Sequence, residues 1–416
     1  MTRVDGRVVF VEGALPGEIV DAEVIHRRRD FWRAEVSSVL LASPHRVQPP
    51  CPYFGRCGGC QVQHLAYREQ LAQKRQVLAH QLARAGLTWD ESGIEVLGMV
   101  DPWRYRLRGE FHVHRTDGRA ALGFYRKRTY QTLPIEQCLI HVEAIERALP
   151  ALARALDHEA AQRVKALQLT WAPGTSDLLW APYPPGTADP ELGLRAAALL
   201  PELRLYDDSI GIEDAGRQFR VRPEVFVQVN ARQREVLYRR TLRAADPRPG
   251  DRVVDAYAGI GMLSARLAER AGEVVCLEES PYAVRLGELN MVLNQVSGVR
   301  YIRGRVEDTL PAVDNPINVL VLDPPRAGCA EQVVSAVLSA GPARIVYVSC
   351  EPSTLARDLG RLCAGGEYGL TDVALVDMFP QTYHIEAVVR LERRRSRAGA
   401  ACPPAQASRA SVRHEQ

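Results

Sequence analysis

A run of β-branched and aromatic residues, Ile345-Val346-Tyr347-Val348, climbs to Ser349-Cys350 and stops at Pro352. It reads as a buried parallel strand with a thiol at its C-terminal tip. Ligands of open α/β sheets bind at such tips. The competing reading is a small core residue, because free cysteine is among the most buried residue types. A second apolar strand, Asn318 to Leu322, ends in Asp323-Pro324-Pro325-Arg326. A third, Phe379 to Val389, carries His384 and Glu386 two residues apart, which on a strand places them on one face. A thiol beside a general base suits covalent catalysis.

One reaction uses all of these groups. C5 of uracil is a poor nucleophile. A thiolate adding at C6 makes the ring enolate-like, C5 can then attack a methyl group, and a base must remove the C5 proton before the thiol can leave. Asn-Pro-Pro-Tyr at the second tip would instead suggest methylation of an amine nitrogen. Asp-Pro-Pro-Arg followed by a strand-tip cysteine suggests carbon methylation of a pyrimidine.

The elements that must carry such a site begin near residue 251, where strands and helices alternate. Arg252 to Ala256 reads as a buried strand that runs into Tyr257-Ala258-Gly259-Ile260-Gly261. A helix with Leu263, Leu267 and Ala268 on its apolar face follows, then a strand from Glu273 tipped by Glu278. This is a Rossmann-like βαβ unit. The acid at the second tip can accept both hydroxyls of a ribose. Without a pyrophosphate loop, a nucleoside donor such as S-adenosylmethionine fits better than NAD.

Three cysteines fall within ten residues in Cys51-Pro-Tyr-Phe-Gly-Arg-Cys57-Gly-Gly-Cys60. Glycines let a chain wrap tightly round a metal centre. A fourth thiolate would close a tetrahedral zinc site or an iron–sulfur site, and Cys138 is the nearest candidate. A single CxxC leans away from zinc and toward iron–sulfur.

Tyr67 to Leu87 reads as a helix with Leu71, Val77, Leu78 and Leu82 on its apolar face. Residues 94–230 read mostly as strands, with one helix near 141–163. In Trp103 to Arg108 and Gly123 to Tyr130, arginines alternate with aromatic or apolar residues, a pattern that puts cations on one strand face for a phosphate backbone. Residues 1–43 alternate short β runs with turns, as in a small barrel. Its surface carries His26-Arg27-Arg28-Arg29 beside Phe31 and Trp32, a set suited to single-stranded nucleic acid and equally to a solvated basic turn.

The chain's 416 residues are too many for one ordinary domain. Its 46% hydrophobic and 25% charged residues are those of a soluble globular protein, and a net charge of +3 says little about nucleic acid. No apolar run reaches the ~18 residues of a transmembrane helix, and the N-terminus lacks the apolar core of a signal peptide. The expectation is a cytoplasmic protein with no membrane partner, a monomer by default, whose nine cysteines are metal-binding, catalytic or buried.

The motifs DAYAGIG, LDPPRAG, VYVSC and HIEAVV, in this order, resemble the RNA 5-methyluridine (uracil-C5) methyltransferases over residues 1 to about 392. CPYFGRCGGCQ resembles that family's loop for a 4Fe–4S cluster. The N-terminal barrel resembles a TRAM domain, an OB-type RNA-binding fold. The resemblance implies an α/β protein: a TRAM-like barrel at 1–43, a central β-rich domain with the cluster loop at 44–230 and a Rossmann-like methyltransferase domain at 231–392; the tail at 393–416, rich in Arg, Ala, Ser and Pro, reads as disordered. It implies Cys350 as nucleophile and Glu386 as proton-abstracting base, with Gln228, Tyr257, Glu278 and Asp323 lining the S-adenosylmethionine site. It also implies Cys51, Cys57, Cys60 and Cys138 as cluster ligands, Phe226 and Gln228 facing the target base, and Arg326 supporting a ribosomal or transfer RNA substrate. The chain departs from the family in two places. The family's extra opening strand is missing before Gly6-Arg7, so either the barrel is N-terminally incomplete or the true start lies upstream, and Gly304-Arg305-Val306-Glu307 stands where Gly-Asp-Ala-Glu is usual. An iron–sulfur RNA-binding protein without catalysis is the alternative.

Overall fold

The structure is a computed structural model that describes residues 1–187, 190–204 and 209–394. Its largest sheet has eight strands in the order Val299–Arg303, Glu273–Glu278, Arg252–Ala256, Val319–Leu322, Arg344–Ser349, Glu386–Arg393, Tyr368–Val376 and Glu95–Leu97. The first five are parallel, and Glu386–Arg393 runs antiparallel to both neighbours. Every residue of Val319–Leu322 is buried, as a parallel strand covered on both faces requires. The strand order reverses between Arg252–Ala256 and Val319–Leu322, and at such a switch point the strand tips open a crevice for a ligand.

This unit recruits chain from well before residue 231. The helix Tyr67–Arg84 buries Gln70, Lys74, Leu78 and Leu82, each four residues on from the last. Leu78 and Leu82 join the core formed with Leu355 and Leu359 of the helix Pro352–Cys363. Val77, expected on the apolar face, is 45% exposed. Glu95–Leu97 pairs in parallel with Tyr368–Val376, closing an edge that would otherwise offer unpaired backbone groups. The hairpin Ile210–Asp214/Arg217–Val221 buries Ile212 and Phe219 in the core on the other face of the sheet. An apolar face needs a partner surface, and sequence distance does not choose which one.

The central sheet has six strands, ordered Leu203–Arg204, Asp177–Tyr183, Ala166–Ala172, Arg108–Thr116, Arg119–Tyr125 and Thr132–Pro134. The helix Glu143–Leu156 packs on it, and so does a second helix, Pro190–Leu199, that the sequence reading lacked. Gly123 is required here, because a Cβ would meet the Leu133 carbonyl oxygen at 2.0 Å. The N-terminal sheet has four strands, ordered Thr2–Val4, Arg7–Glu12, Phe31–Leu41 and Ile19–Arg27. A short first strand thus precedes the three that were expected.

Three expectations from strand alternation give way. Residues 103–107 are irregular, with Arg104 in the left-handed region at φ 52°. Arg104 pairs with Glu146, and Arg108 donates to Thr170 Oγ1 and to the Val225 carbonyl, both at 2.7 Å. These arginines hold the protein together instead of forming a phosphate-binding face. Beyond Tyr125 the second stretch is a turn whose Lys127 and Arg128 pair with Glu12 and Glu35 of the N-terminal sheet. The last strand begins at Glu386, not Phe379, because Pro380 and the left-handed Gln381, at φ 68°, hold residues 379–385 as a loop. His384 and Glu386 therefore do not share a strand face. That strand continues through Arg393, and the expected tail, from 395 onward, lies outside the described residues. No described helix is long and apolar enough to cross a membrane.

One buried ion pair joins the Tyr67–Arg84 helix to the start of that loop. Lys74 Nζ donates to Asp377 Oδ1 at 2.6 Å, with side-chain exposures of 5% and 0%. Tyr67 Oη donates to the other carboxylate oxygen at 2.8 Å. Removing one partner of a buried pair strands the other charge at a cost of about 3–5 kcal/mol. Lys74→Met is expected to lower unfolding stability by that order in a urea titration, and a loss below about 1 kcal/mol would show the pair to be dispensable.

Candidate active site

The Cys350 thiol emerges where Arg344–Ser349 hands over to the helix Pro352–Cys363. Glu351 caps that helix, its side chain accepting from the Ser353 amide. Thr354 Oγ1 donates to the Arg326 carbonyl at 3.1 Å, so the loop after Asp323 is fastened beside the thiol. Arg326 hydrogen-bonds Cys350, and its Nη2 lies 3.5 Å from His384 Nδ1. Burial pushes the Cys350 thiol up to about 11; neighbouring Glu386 adds to this and Arg326 opposes it.

Glu386 is 3% exposed. Burial, and then Asp323, raise its carboxyl well above the usual range, with Arg326 pulling the other way. Burial and then Asp255 raise Asp323 to about 7. Burial likewise raises Asp255 to about 7, although Ser264 Oγ donates to it at 2.5 Å. Acids crowded in a low-dielectric crevice resist ionisation until a cation joins them.

Two of the expected donor-site residues stand beside these acids: Asp323 next to Asp255, and Glu278 near enough to raise Asp255. Tyr257 sits at φ 68° in the turn after Arg252–Ala256, with Gly259 and Gly261 also left-handed. A Cβ on Gly261 would meet Tyr301 Oη at 2.5 Å, so the turn closes only with glycine there. Glu278 Oε2 accepts from the Gly259 amide at 2.9 Å, and Oε1 from the Ser280 amide at 2.8 Å. The carboxylate is fixed in orientation, and each oxygen keeps a second lone pair for a diol. Gln228 is buried, in a segment ending at Asn230. Asn230 caps the helix Ala231–Ala245 and donates to the Met378 carbonyl at 3.0 Å. Phe226, two residues before Gln228, is 70% exposed.

Cys350, Arg326, Tyr383 and His384 line an open cavity of about 430 Å³, whose far wall is Lys74, Val77 and Gln81 of the Tyr67–Arg84 helix. Sequence reasoning missed this wall and the buried Asp255. The helix's signal was a polar pair, Gln70 and Lys74, continuing the four-residue spacing of Leu78 and Leu82.

Cys51, Cys57, Cys60 and Cys138 gather round a second cavity of about 230 Å³, together with Arg106 and His141. Burial raises the Cys60 thiol to about 12, and the other three cysteines add to this. Burial also raises Cys138 to about 11, and His141 Nδ1 lies 3.1 Å from its sulfur. Among the described residues, no three or more His, Cys, Asp or Glu side chains are arranged to hold a single metal ion. On the N-terminal sheet, the guanidinium carbons of Arg7 and Arg27 stand 4.8 and 4.9 Å from the centre of the Trp32 ring. His26, Arg28, Arg29, Phe31 and Arg33 surround a surface pocket beside it.

The family described as "tRNA (Uracil-5-)-methyltransferase" matches residues 202–394, and "TRAM domain" matches residues 1–37. An uncharacterized RNA methyltransferase of Gloeobacter violaceus is 34% identical over 424 residues, covering 94% of this chain and 92% of its own length. Another, of Halalkalibacterium halodurans, is 33% identical over 434 residues, covering 94% and 93%. Among solved structures, the Pyrococcus abyssi tRNA (uracil-54, C5)-methyltransferase in complex with S-adenosyl-L-homocysteine matches with a TM-score of 0.70. That match covers 92% of this chain and 95% of the other at 22% identity, a likeness of fold.

The electrostatics of Cys350 set a pH dependence. With the thiol raised to about 11, the reactive thiolate is scarce at neutral pH in the free enzyme. Alkylation of Cys350 by iodoacetamide, followed by peptide mass spectrometry, is expected to quicken about tenfold per pH unit from 7 to 10. A rate that levels off by about pH 8 would contradict the burial account.

Proposed function

From the premise that this chain is an RNA methyltransferase, belonging to the tRNA (uracil-5-)-methyltransferase family, we propose that it methylates C5 of a uracil in a structured RNA, transfer or ribosomal, through a covalent bond from Cys350 to C6. The observation that carries this reading is the meeting of Cys350, Arg326, Asp323 and Glu386 at one end of three adjacent strands, where Asp323 and Arg326 bear on both Cys350 and Glu386. The methyl donor, S-adenosylmethionine, supplies an electrophilic methyl group on a sulfonium. Glu278 holds its ribose, Gln228, Tyr257 and Asp323 line the rest of its site, and the acid-rich crevice favours its positive charge.

The Arg326 guanidinium hydrogen-bonds the thiol and offsets part of its high pKa. Cys350 Sγ, its proton given up to solvent, bonds to C6 as the thiolate, and the electron pair of the C5–C6 double bond moves toward C5 and O4. C5 takes the methyl group as the sulfonium's carbon–sulfur bond breaks, its electron pair staying on the departing neutral thioether. Glu386, ionised at that stage, accepts the C5 proton. The pair left on carbon restores the double bond, and Cys350 departs as a thiolate. A target base must leave its stack to reach this crevice, so base flipping is part of the reading. The basic and aromatic face around Trp32 suits RNA, with cations for phosphate and a ring for stacking.

The lining of one cavity by all four cysteines supports reading them as the donor set of a 4Fe–4S cluster. Cys51, Cys57, Cys60 and Cys138 would hold it, and it would supply structural support, since methyl transfer moves no net electron. The same reading puts the enzyme in the cytoplasm as a monomer.

Cys350→Ser is expected to abolish turnover on RNA from a strain lacking this protein. Glu386→Gln is expected to transfer one methyl group and then remain joined to the RNA, visible as a shifted band on a denaturing gel. Undiminished turnover by the serine variant would overturn the nucleophile assignment. Free methylated RNA and no shifted band with the glutamine variant would overturn the base assignment.

A further inference from the structure

The loop 379–385 delivers the chain to Glu386 and carries Tyr383 and His384 into the Cys350 cavity. It has no ladder of its own and is held from outside. Lys74 Nζ donates to the Phe379 carbonyl at 3.1 Å, and Tyr105 Oη to the Pro380 carbonyl at 3.0 Å. At Gln381 the ties multiply. Its carbonyl accepts from the Gln61 and Val62 amides, both at 3.1 Å, directly after Cys60. Its amide donates to Gln70 Oε1 at 3.1 Å, and its Oε1 accepts from Gln70 Nε2 at 2.9 Å. Gln70 Nε2 also reaches the Leu65 carbonyl at 2.8 Å. Gln381 is 3% exposed, and its φ of 68° is one that a side-chain-bearing residue adopts at a cost of about 1–3 kcal/mol. Such strain persists where the surroundings over-determine it, and it clusters where geometry is used for chemistry.

We propose that Gln381 is a positioning residue for proton abstraction: paired with Gln70 and anchored to the amides after Cys60, it fixes the loop that sets Glu386 against Cys350. The inference rests on the reading of Glu386 as the base. The nucleophile and the donor site stand on other elements, the tips of Arg344–Ser349 and Arg252–Ala256 and the turn at Gly259. Thiol addition and methyl transfer feel this loop only through its lining of the cavity and the 3.5 Å contact of His384 with Arg326, whereas removal of the C5 proton depends directly on where the loop leaves the carboxylate. A displacement of about 1 Å in a reacting group can cost on the order of 100-fold in rate. A scaffold role alone would impair all steps together.

The test uses Gln381→Gly, Gln70→Ala and Glu386→Gln in single-turnover reactions with methyl-labelled S-adenosylmethionine and total RNA from a strain lacking this protein. Glycine accepts the left-handed backbone and keeps the carbonyl tie, so Gln381→Gly removes only the side-chain half of the pair. The readouts are donor affinity by calorimetry, the rate of methyl incorporation, and the rate at which methylated RNA leaves the covalent adduct on a denaturing gel. For both glutamine variants the expected result is donor affinity within about twofold of wild type, methyl incorporation within severalfold, and release slowed on the order of 100-fold. Release at the wild-type rate in both variants would overturn the proposal, and so would parallel loss of donor binding, methyl incorporation and release. If Glu386→Gln itself releases RNA normally, the base assignment fails and the proposal falls with it. If Glu386→Gln traps RNA while the glutamine variants do not, the proposal alone fails.

Discussion

Several acids and a thiol are brought together at the ends of adjacent strands, and the rest of the fold is arranged around the cost of holding them there. Asp255 and Glu386 are buried and Asp323 partly so, and every one is raised toward its neutral form. No domain keeps such a cluster for stability alone, because unpaired buried carboxylates oppose folding. Perturbed groups of this kind concentrate where charge develops during a reaction. Arg326 meets the cluster from one side, and a cationic donor would meet it from the other.

Holding that arrangement takes structure from three parts of the chain. The parallel strands provide the tips bearing Asp255, Asp323 and Cys350. The glycine turn at 259–261 orients Glu278 through a backbone amide instead of leaving it mobile. The helix Tyr67–Arg84, far earlier in sequence, braces the loop before Glu386 through Gln70 and Lys74. Since Gln61 and Val62 bond the same loop directly after Cys60, hydrogen bonds join the cysteine-rich segment to the loop that lines the Cys350 cavity.

Strand tips were legible in the sequence because buried parallel strands are written as uninterrupted apolar runs, and Cys350, Asp323 and Glu278 all lie at or just beyond the ends of such runs. The gathering of Cys138 with Cys51, Cys57 and Cys60 could be suspected from residue type and spacing. Alternation failed where a polar residue was spent internally. Arg104, Arg108, Lys127 and Arg128 mimic a nucleic-acid face, yet they bind carbonyls and carboxylates of this chain. The helix Tyr67–Arg84 joined an unforeseen unit because amphipathicity names a face and not its partner. The loop at 379–385 was hidden because the left-handed Gln381 depends on tertiary hydrogen bonds that no local pattern encodes.

The most direct test of the central claim follows the hydrogen on C5. RNA bearing uridine tritiated at C5, prepared from a strain lacking this protein, is incubated with the enzyme and S-adenosylmethionine, and tritium released to water is counted. Release that depends on the donor and is absent with Cys350→Ser is the predicted result, and mapping the methylated nucleotide then separates transfer from ribosomal RNA. No release from any RNA class, by an enzyme that binds the donor, would contradict uracil-C5 methylation.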